Sequence, residues 1–550
     1  MATLSPSTAV TGRSWIACAP QPEQDATGSV FHATDPSNGQ PLEPLFRAAT
    51  TTDAERAAKQ AWEAFHHELE RSGTERAELL RVIASKLDAL GETLIELARA
   101  ETGLGRTRLI AERERALRTL EMFADTVEAG HWVRATVDRG DGARRPVPKP
   151  DVRSMLRPLG PVAVFGAGNF PLAYSTLGGD TASALATGCS VVVKGHPAHP
   201  ATGELAAQAA AAAVLELGWH PGTFSFLQGG GEREQELGRT LVEHSCIRAV
   251  GFTGSLRGGM ALHDAAAGRP DPIPVFAEMG SVNPVFLLPG ALGEQADAIG
   301  DRLAGSIQNS VGQMCTCPGL IFMVRSDGSE KVLRTISQRF NESAPAPLLS
   351  ARTRANFNER LATVSRIDGI EVRGGSPQAG HGSASGAHPI TASPVLYRTT
   401  FDTFNETTTL HEEVFGPAAI AVICQREEQL LEAASAIQGS LTGSVFASGR
   451  DAGISRQLQI ILERRVGRLI FNGVPTGVEV CESMVHGGPF PATTAPHTTA
   501  VGARAMERWC RPVAYQNAPM AMLPAELREG NPLRIARTED GVPMPPPFDG

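Results

Sequence analysis

One cysteine of this chain lies where a nucleophile could be useful. Cys315 follows an apolar-periodic segment at residues 304–311, which predicts a helix, and it precedes Pro318-Gly319 and a β-rich run at 320–324. A thiol at such a helix-to-loop junction can be exposed and can lie near oriented backbone dipoles, and both conditions favour the nucleophilic thiolate. The alternative for a single cysteine is a buried structural side chain, because free cysteine is among the most buried residue types.

The elements around Cys315 form two α/β sets. In the first set short apolar strands alternate with Ala-rich helices. The strands are predicted at residues 161–165, 190–194, 223–227, 247–252 and 273–277, and the helices at 173–187, 201–217, 232–242 and 256–267. This alternation predicts a parallel doubly wound sheet, with ligands at the carboxyl ends of its strands. The second set begins at residues 283–288, passes through the cysteine and has further strand-like runs at 419–423, 443–446 and 468–471.

Two flanking features complete the prediction of the elements. A series of amphipathic helices precedes the first set, and Thr52 with Glu55 predicts a capping box at its start. Residues 374–388 are rich in Gly and Ser and predict a solvent loop.

The composition is that of a globular protein that acts on a small molecule. The 550 residues are too many for one core and predict two or three domains. A net charge of -9 and a pI near 5.9 leave no excess of basic residues to meet phosphates, so neither nucleic acid nor a membrane surface is an expected partner. No apolar run approaches the length of a membrane span and no signal segment is recognisable, so a cytoplasmic protein is expected.

The eight cysteines are scattered along the chain and do not resemble a disulfide framework, which favours a reducing compartment. Cys315 and Cys317 form a C-x-C pair, but no second Cys/His pair at zinc-site spacing accompanies it, so no metal site is expected. Cys317 could be oxidised or could pair with Cys315; the alternative is a small side chain that faces away.

Glycines follow two of the predicted strands at positions where a phosphate could bind. Gly166-Ala167-Gly168 begins a dinucleotide fingerprint, but Pro171 occupies the sixth position and leaves the match partial. Three glycines at 229–231 open a helix after the third strand, and Gly230 among them could approach a phosphate equally well.

Five separated motifs, in this order, resemble the signature set of the aldehyde dehydrogenase superfamily. They are GAGNFP at 166–171, FTGS at 252–255, EMGS at 278–281, GQMC at 312–315 and EEVFGP at 412–417. The resemblance covers residues 31–517. Within the superfamily, further stretches resemble the α-ketoglutarate semialdehyde (2,5-dioxovalerate) dehydrogenase branch, to which bacterial NADP-dependent fatty aldehyde dehydrogenases are close. These stretches are residues 178–185, 193–200, 280–286, 471–481 and 486–494.

Oxidation of an aldehyde to an acid needs three kinds of group, and the motifs offer each of them. Cys315 is the candidate nucleophile, which would pass through a thiohemiacetal and then a thioester. The Asn169 side-chain amide and the Cys315 backbone N–H could stabilise the oxyanion, and loss of one such donor typically costs about 10²–10³ in rate. Glu278 is the expected base for thioester hydrolysis, and it would work best if burial raised its pKa toward neutrality.

The resemblance also implies a cofactor site. It implies that Glu413 and Phe415 hold the nicotinamide ribose, that Lys194 meets the adenosine ribose, and that Ser255 contacts the pyrophosphate. The cofactor set is completed by residues of the motifs and of the glycine-rich turn: Gly230, Arg233, Gly254 and Gly280.

Several of these residues have a structural alternative. Asn169 could cap the helix after Pro171, Glu278 could be a surface carboxylate at a strand end, and Lys194 could be a solvated strand terminus.

Residue 197 bears on the choice of cofactor. Many NAD-preferring relatives carry Glu three places after the strand-end lysine, where it binds the ribose 2′-OH and repels a 2′-phosphate; here that place is Pro197. With Lys194, His196 and Arg233 nearby, a 2′-phosphate is expected to be tolerated. NADP is therefore predicted to be used at least as well as NAD.

The expected reaction is the oxidation of α-ketoglutarate semialdehyde to 2-oxoglutarate. Its substrate carries a carboxylate, which would need an Arg or several backbone donors at the far end of the substrate tunnel. If the tunnel is instead apolar, a fatty or medium-chain aldehyde is the better substrate. A coenzyme A-acylating enzyme would dispense with Glu278, and an inactive structural relative would have lost Asn169, Glu278 or Cys315.

The resemblance predicts the architecture: an α/β fold of the aldehyde dehydrogenase kind, with two Rossmann-type domains and a small β arm that joins subunits into a homodimer or homotetramer. The predicted boundaries are a cofactor-binding domain at 1–130 and 155–283, a catalytic domain at 284–488, an arm at 131–154 and 489–520, and a partly mobile extension at 521–550.

Overall fold

The computed structural model describes residues 9–23, 27–377 and 389–546. The predicted solvent loop at 374–388 therefore lies largely outside the described residues. Within those ranges, every helix is either too short or too polar to cross a membrane.

The helices and strands of the described residues are numbered here in chain order. The helices are α1 Thr51–His67, α2 Gly73–Ala89, α3 Gly91–Thr102, α4 Arg106–Ala129, α5 Gly179–Thr187, α6 Pro200–Glu216, α7 Glu234–Glu243, α8 Leu256–Ala267, α9 Pro289–Gln308, α10 Asp327–Asn341, α11 Ala351–Ser365, α12 Phe401–Glu406, α13 Glu428–Ala436 and α14 Ala452–Leu462. The strands up to the end of the first α/β set are β1 Trp15–Ile16, β2 Ala19–Pro20, β3 Val30–Asp35, β4 Gln40–Arg47, β5 Thr136–Asp138, β6 Val152–Pro158, β7 Val162–Phe165, β8 Val191–Lys194, β9 Phe224–Leu227, β10 Ala249–Thr253 and β11 Val275–Glu278. The later strands are β12 Val285–Leu287, β13 Leu320–Val324, β14 Ala346–Pro347, β15 Glu371–Gly375, β16 Thr391–Ala392, β17 Val395–Thr400, β18 Ala418–Cys424, β19 Ser440–Phe446, β20 Val466–Phe471, β21 Cys510–Gln516, β22 Arg537–Glu539 and β23 Val542–Met544.

The first sheet has the order β11-β10-β7-β8-β9-β1-β2. Its strands β7 to β11 pair in parallel, and the short antiparallel hairpin of β1 and β2 extends the β9 edge. The predicted doubly wound sheet is therefore confirmed. The chain runs outward from β7 to β9 and then returns to place β10 on the other side of β7, so the strand order reverses beside β7. A sheet of this kind binds ligands at that reversal, outside the carboxyl ends of its strands.

The second sheet has the order β15-β17-β18-β13-β12-β19-β20 and is parallel except for the β15–β17 pair at one edge. Buried aliphatic and aromatic side chains cover both of its faces, in line with a parallel sheet enclosed by helices. The cysteine segment connects α9 to β13 in the middle of this sheet.

A third sheet has the order β21-β6-β5-β22-β23. Its last two strands come from the segment expected to be a partly mobile extension, and β22 pairs in parallel with β5 at Thr538 and Thr136. The chain end up to residue 546 thus adds two strands to the sheet that contains β5, β6 and β21, which come mainly from the segments predicted to form the arm. The domain boundaries remain predictions.

Two local predictions were wrong. The first helix begins at Thr51, and its capping box is formed by Thr50 and Asp53: the Thr50 hydroxyl accepts the Asp53 N–H at 3.2 Å and the Asp53 carboxylate accepts the Thr50 N–H at 2.9 Å. The helix predicted at 173–187 begins only at Gly179, because the preceding residues form tight turns. A Cβ at Gly178 would lie 2.6 Å from the Tyr174 Cα, which leaves no room for a regular helix there.

Candidate active site

The carboxyl ends of the first sheet bring most of the predicted site residues to one edge. Lys194 is in register with Phe165, the last residue of β7, and Thr253 is in register with Glu278, the last residue of β11. Asn169, the glycine turn at 229–231 and Ser255 follow β7, β9 and β10 respectively. Ligand-binding residues are therefore concentrated where the strand order reverses.

The segment that carries Cys315 is held in an unusual backbone conformation. The α-helix predicted to reach Val311 ends at Gln308, and a 3₁₀ turn follows in which Ser310 and Val311 have φ of 52° and 57°. A positive φ in a β-branched residue is a rare, strained conformation, and such residues cluster at functional sites. Gly312 continues the bend and packs on the Gly416 backbone, where an added Cβ would meet the carbonyl oxygen at 2.1 Å. The EEVFGP motif thus fixes the approach to Cys315.

Asn283 fixes the other side of the same loop. Its side-chain amide donates hydrogen bonds to the carbonyl oxygens of Cys315 and Cys317, at 2.8 Å and 2.9 Å. The Oδ1 atom of the Asn283 side chain accepts hydrogen bonds from the Ser281 and Thr442 hydroxyls. These contacts hold the amide of Asn283 in one orientation. Asn283 is fully buried, and its role was not predicted, although residues 280–286 were singled out.

A histidine joins the predicted nucleophile to the predicted base. The Nε2 atom of His486 lies 3.7 Å from the Cys315 Sγ and 2.9 Å from the Glu278 Oε1. His486 is 1% exposed and Glu278 is 5% exposed, while Cys315 is half-buried at the mouth of the site. These three ligand atoms lie within 4.8 Å of one another, so they could also contact a single metal ion, and the absence of a metal remains a prediction.

His486 begins the stretch 486–494, which resembles the semialdehyde dehydrogenase branch, but no role was predicted for it. Its position depends on the docking of that stretch along β11, where Met279 N donates to Ala492 O at 2.8 Å and Thr494 N donates to Ala277 O at 3.2 Å. The His486 backbone N–H in turn donates to the Thr499 hydroxyl at 2.9 Å.

Burial and the neighbouring carboxylate determine the protonation of this group. Burial, together with the negative charge of Glu278 and a hydrogen bond to it, raises the pKa of the Cys315 thiol well above its usual value. Burial alone would also raise the pKa of Glu278, as expected from the sequence, but the charge and the hydrogen bond of His486 outweigh it and lower that pKa. Glu278 is therefore an ionised carboxylate at neutral pH, and Cys315 rests as a thiol.

This electrostatic arrangement predicts how reactivity depends on pH. Because the pKa of Cys315 is raised, the thiolate fraction increases throughout the range from about pH 7 to pH 9, by roughly tenfold per unit. The rate at which iodoacetamide inactivates the cofactor-free enzyme is expected to rise by the same factor. A plateau of the inactivation rate below about pH 8 would contradict the raised pKa.

The Asn169 amide faces the cysteine loop, as an oxyanion donor should. Its Nδ2 donates to the Gln313 carbonyl at 2.9 Å, and because an amide has two N–H donors, one remains for a substrate oxygen. Helix α4 supports this turn: Arg108 donates to the Asn169 carbonyl at 2.8 Å, and the buried Glu112 accepts the N–H groups of residues 172 and 173. Asn169 therefore does not merely cap a helix.

The predicted ribose-binding residues occupy two separate places. Glu413 lies against Gly280, where an added Cβ would meet its Oε2 at 2.3 Å. Burial raises the pKa of Glu413 to about 8, against the opposing backbone N–H of Ser281. Phe415 is half-buried two residues further on. A glycine is thus required at position 280 to seat this carboxyl group beside the cysteine loop.

Lys194, the last residue of β8, lies at the second place, against the glycine turn after β9. Its buried ammonium group contacts the Glu234 carboxylate, and a Cβ at Gly229 would lie 3.0 Å from its Nζ. The prediction of NADP rested on Pro197, which leaves no carboxylate three places after Lys194. Glu234 nevertheless places a carboxylate beside this lysine. Burial lowers the pKa of Lys194, while Glu234 opposes this effect.

The remaining residues that were predicted to bind the cofactor lie in different surroundings. The Arg233 guanidinium is 74% exposed and pairs with Glu236 at 2.5 Å, so it does not face Lys194 in this structure. Gly230 lies under the Phe31 ring, and Gly254 lies against Phe252. Ser255 begins α8 and accepts the Gly258 N–H at 3.2 Å.

Cys317 is buried and its Sγ lies 3.9 Å from the Ile307 carbonyl, on the core side of the loop. Burial raises the pKa of its thiol. Its side chain therefore faces away from His486 and Glu278, in accordance with the structural alternative.

Comparisons with known proteins agree with this geometry. The model of the aldehyde dehydrogenase family matches residues 23–489. The chain is 42% identical to alpha-ketoglutaric semialdehyde dehydrogenase 2 of Azospirillum brasilense over 94% of this chain and 96% of that protein. It is 39% identical to alpha-ketoglutaric semialdehyde dehydrogenase of Acinetobacter baylyi, with the same coverage. Betaine aldehyde dehydrogenase of Staphylococcus aureus, solved in complex with NAD+, superposes with a TM-score of 0.77 at 20% identity over 93% of this chain and 96% of that chain.

The family match and these relatives place the chain among the oxidoreductases that act on an aldehyde group. More particularly, the chain belongs to the aldehyde dehydrogenase family, whose members act on the aldehyde group with NAD or NADP.

Proposed function

We propose that this protein oxidises α-ketoglutarate semialdehyde (2,5-dioxopentanoate) to 2-oxoglutarate. NADP or NAD is the oxidant, and water supplies the second oxygen of the new carboxylate. The observation that carries this proposal is the 42% identity, over 94% of the chain, to a relative of that name. The cysteine, histidine and carboxylate described above supply the groups that the reaction needs.

The first half of the reaction uses Cys315 and Asn169. Cys315 reacts as the thiolate: its proton is lost to solvent, and its Sγ bonds to the aldehyde carbon. The carbonyl electron pair moves to the oxygen, and the free N–H of Asn169 stabilises the charge that develops there. The His486 Nε2 donates a hydrogen bond to Glu278 at 2.9 Å and so holds that carboxylate in place. When bound, NADP or NAD would supply the acceptor for the hydride that leaves the tetrahedral carbon.

The second half cleaves the thioester. Glu278 is ionised and buried, so it can take a proton from a water molecule that adds to the acyl carbon. The carbon–sulfur bond then breaks, the acid leaves, and Cys315 is restored. The presence of Glu278 favours hydrolysis over transfer to coenzyme A.

The residues around the cofactor crevice fit a dinucleotide. Two close backbone approaches, at Gly280 against Glu413 and at Gly229 against Lys194, would be closed by any larger side chain. Glu413 and Phe415 would hold the nicotinamide ribose, Lys194 the adenosine ribose, and Ser255 with Gly254 the pyrophosphate. Gly230 and Arg233 flank the same crevice.

We propose NADP as a cofactor that this enzyme accepts, with Lys194 as its 2′-phosphate partner. The pairing of Lys194 with Glu234 opposes this use, because the carboxylate occupies the cation and repels a phosphate. Removing the carboxylate is therefore informative.

Glu234→Gln is expected to raise the ratio of kcat/KM with NADP to that with NAD by about tenfold, because a hydrogen bond to a charged group is worth about 1.5–3 kcal/mol. Initial rates with the two cofactors measure this ratio. Glu236→Gln is the matched control, since it removes a carboxylate that pairs only with the exposed Arg233. An unchanged ratio in Glu234→Gln would exclude Lys194 as the phosphate partner.

We also propose an oligomeric state and a cellular compartment for this protein. The sheet that contains β5, β6 and β21 has an exposed edge segment and is proposed to join subunits into a dimer or tetramer, as arms do in this family. All eight cysteines lie within the described residues and are free, which supports a reducing, cytoplasmic location.

The test is NADP and NAD reduction by the purified enzyme with α-ketoglutarate semialdehyde, succinate semialdehyde, hexanal and dodecanal. The expected result is the highest kcat/KM for α-ketoglutarate semialdehyde. Preference for the alkyl aldehydes would contradict the proposal and place the protein with the fatty aldehyde dehydrogenases.

A further inference from the structure

The substrate proposed above carries a carboxylate, and the structure contains two cationic side chains beside the thiol without an acidic partner. They are Arg115, on helix α4, and Arg468, on strand β20. Among the residues that the structure describes, neither guanidinium forms an ion pair with Asp or Glu; their hydrogen-bond partners are a phenol and two backbone carbonyls. Arginines in a protein interior normally pair, so these two lack an anion.

A short series of contacts connects Arg115 to the reacting groups. Its Nη2 donates to the Tyr174 hydroxyl at 2.5 Å, and its guanidinium lies 5.1 Å from the centre of the Tyr174 ring. The Tyr174 ring centre lies 6.3 Å from that of His486, whose Nε2 contacts the Cys315 Sγ. Arg115 is half-buried, and among the described residues only this one of its five N–H donors has a protein partner, so four remain for a ligand.

Arg468 belongs to strand β20 of the second sheet. Its Nη1 and Nη2 donate to the Gly477 and Pro475 carbonyls at 2.8 Å and 2.7 Å, which fixes the guanidinium, while its Nε is buried and has no hydrogen-bond partner. A buried donor without a partner costs free energy unless a ligand satisfies it.

The charges of the two guanidinium groups act on each other and on the thiol. The positive charge of Arg115 opposes protonation of Arg468, whereas a negative charge on Cys315 favours it; burial is the main cause of the lowered pKa of Arg468. Arg115 likewise lowers the pKa of Cys315, against the larger effects of burial and Glu278. The carboxylate on the same face of α4, Glu112, is already taken by Arg108 at 3.0 Å. Two neighbouring cations without a counter-charge create a positive potential that attracts an anion.

Neither arginine belongs to an element that carries the expected cofactor residues, which are Lys194, Gly230, Arg233, Gly254, Ser255, Gly280, Glu413 and Phe415. Arg115 also lines a small cavity with Tyr174, Val480 and Ala500. Half-buried guanidinium groups without an acidic partner suit a charged aldehyde and do not suit an alkyl chain.

We propose that Arg115 and Arg468 together bind the distal carboxylate of an ω-oxo acid substrate and so select it over uncharged aldehydes; this inference rests on the proposed function. Tyr174 orients Arg115, and the 475–477 loop orients Arg468. The guanidinium of Arg115 supplies two parallel N–H donors, and the free Nε of Arg468 supplies a third.

The test compares α-ketoglutarate semialdehyde and succinate semialdehyde with hexanal in the intact enzyme and in Arg115→Gln. A hydrogen bond to a charged group accounts for about 10- to 100-fold in binding. The expected result is that KM for the semialdehydes rises by about that factor, while kcat and KM for hexanal change little. Arg118→Gln is the matched control, because Arg118 lies on the same helix and is 63% exposed.

Arg468→Lys complements this variant, since it keeps a charge while removing the planar donor group, and it is expected to raise KM for the semialdehydes alone. Equal losses with hexanal and the semialdehydes would indicate a structural role and overturn the inference, as would unchanged KM values. If the enzyme prefers succinate semialdehyde and Arg115→Gln abolishes that preference, the carboxylate site stands and the proposed substrate fails. If the enzyme itself does not prefer the semialdehydes to hexanal, the inference is overturned.

Discussion

Cys315→Ala is expected to lower kcat for aldehyde oxidation by roughly 10⁴- to 10⁶-fold, because loss of a covalent nucleophile removes both halves of the reaction. No second thiol can take its place: Cys317 faces the core, and its Sγ contacts the Ile307 carbonyl. Cofactor reduction in the presence of substrate measures the loss directly.

Cys317→Ala is the matched control for that experiment, since it removes a thiol two residues away that contacts neither His486 nor Glu278. It is expected to retain most of the activity and to bind cofactor normally. If Cys315→Ala remained active, or if both variants lost activity equally, Cys315 could not be the nucleophile.

Glu278→Gln is expected to separate the two halves of the reaction. Acylation can still occur, so cofactor reduction should show a burst of about one equivalent per active site; the following steady state should be slower by about 10²–10⁴-fold, because the general base is missing. Stopped-flow absorbance resolves the burst, and intact-mass measurement should detect the trapped thioester on Cys315.

The same variant tests the electrostatic coupling of the site. The Glu278 charge contributes to the raised pKa of Cys315, so its removal lowers that pKa and increases the thiolate fraction. Iodoacetamide should therefore inactivate Glu278→Gln faster than the unmodified enzyme at about pH 7.5. Slower inactivation, or a steady state without a burst, would indicate that Glu278 activates the thiol and not the water.

Glu278 and His486 also define how the site differs from a simple pair of nucleophile and base. A carboxylate in a buried site would ordinarily hold its proton. Here the His486 Nε2 donates a hydrogen bond to Glu278 and also lies 3.7 Å from the Cys315 Sγ. One imidazole thus links the group that must lose a proton during acylation to the group that must accept one during hydrolysis.

The sequence by itself determined the strands of the two α/β sets and the positions of Asn169, Glu278 and Cys315. Short apolar runs between glycines are local signals, and Asn169 and Glu278 lie at or just beyond the ends of two of them. Because parallel strands end at a common edge, these two side chains had to meet there, whereas Cys315 precedes strand β13 and was recognised from its motif. The chemistry of an amide, a carboxylate and a thiol then limited the reaction to a few kinds.

Only the tertiary structure decided the contacts between distant segments. His486 reaches Glu278 across 208 positions, and its position depends on backbone hydrogen bonds that a residue pattern does not record. Glu234 pairs with Lys194 across 40 positions, and Arg115 reaches the Tyr174 hydroxyl across 59 positions. Strands β22 and β23 are short, and β23 is exposed along its length, so they lack the alternation that would identify them. They are strands because β22 pairs with β5 and β23 pairs with β22. Local sequence fixes local conformation, whereas long side chains find their partners only after packing has brought the elements together.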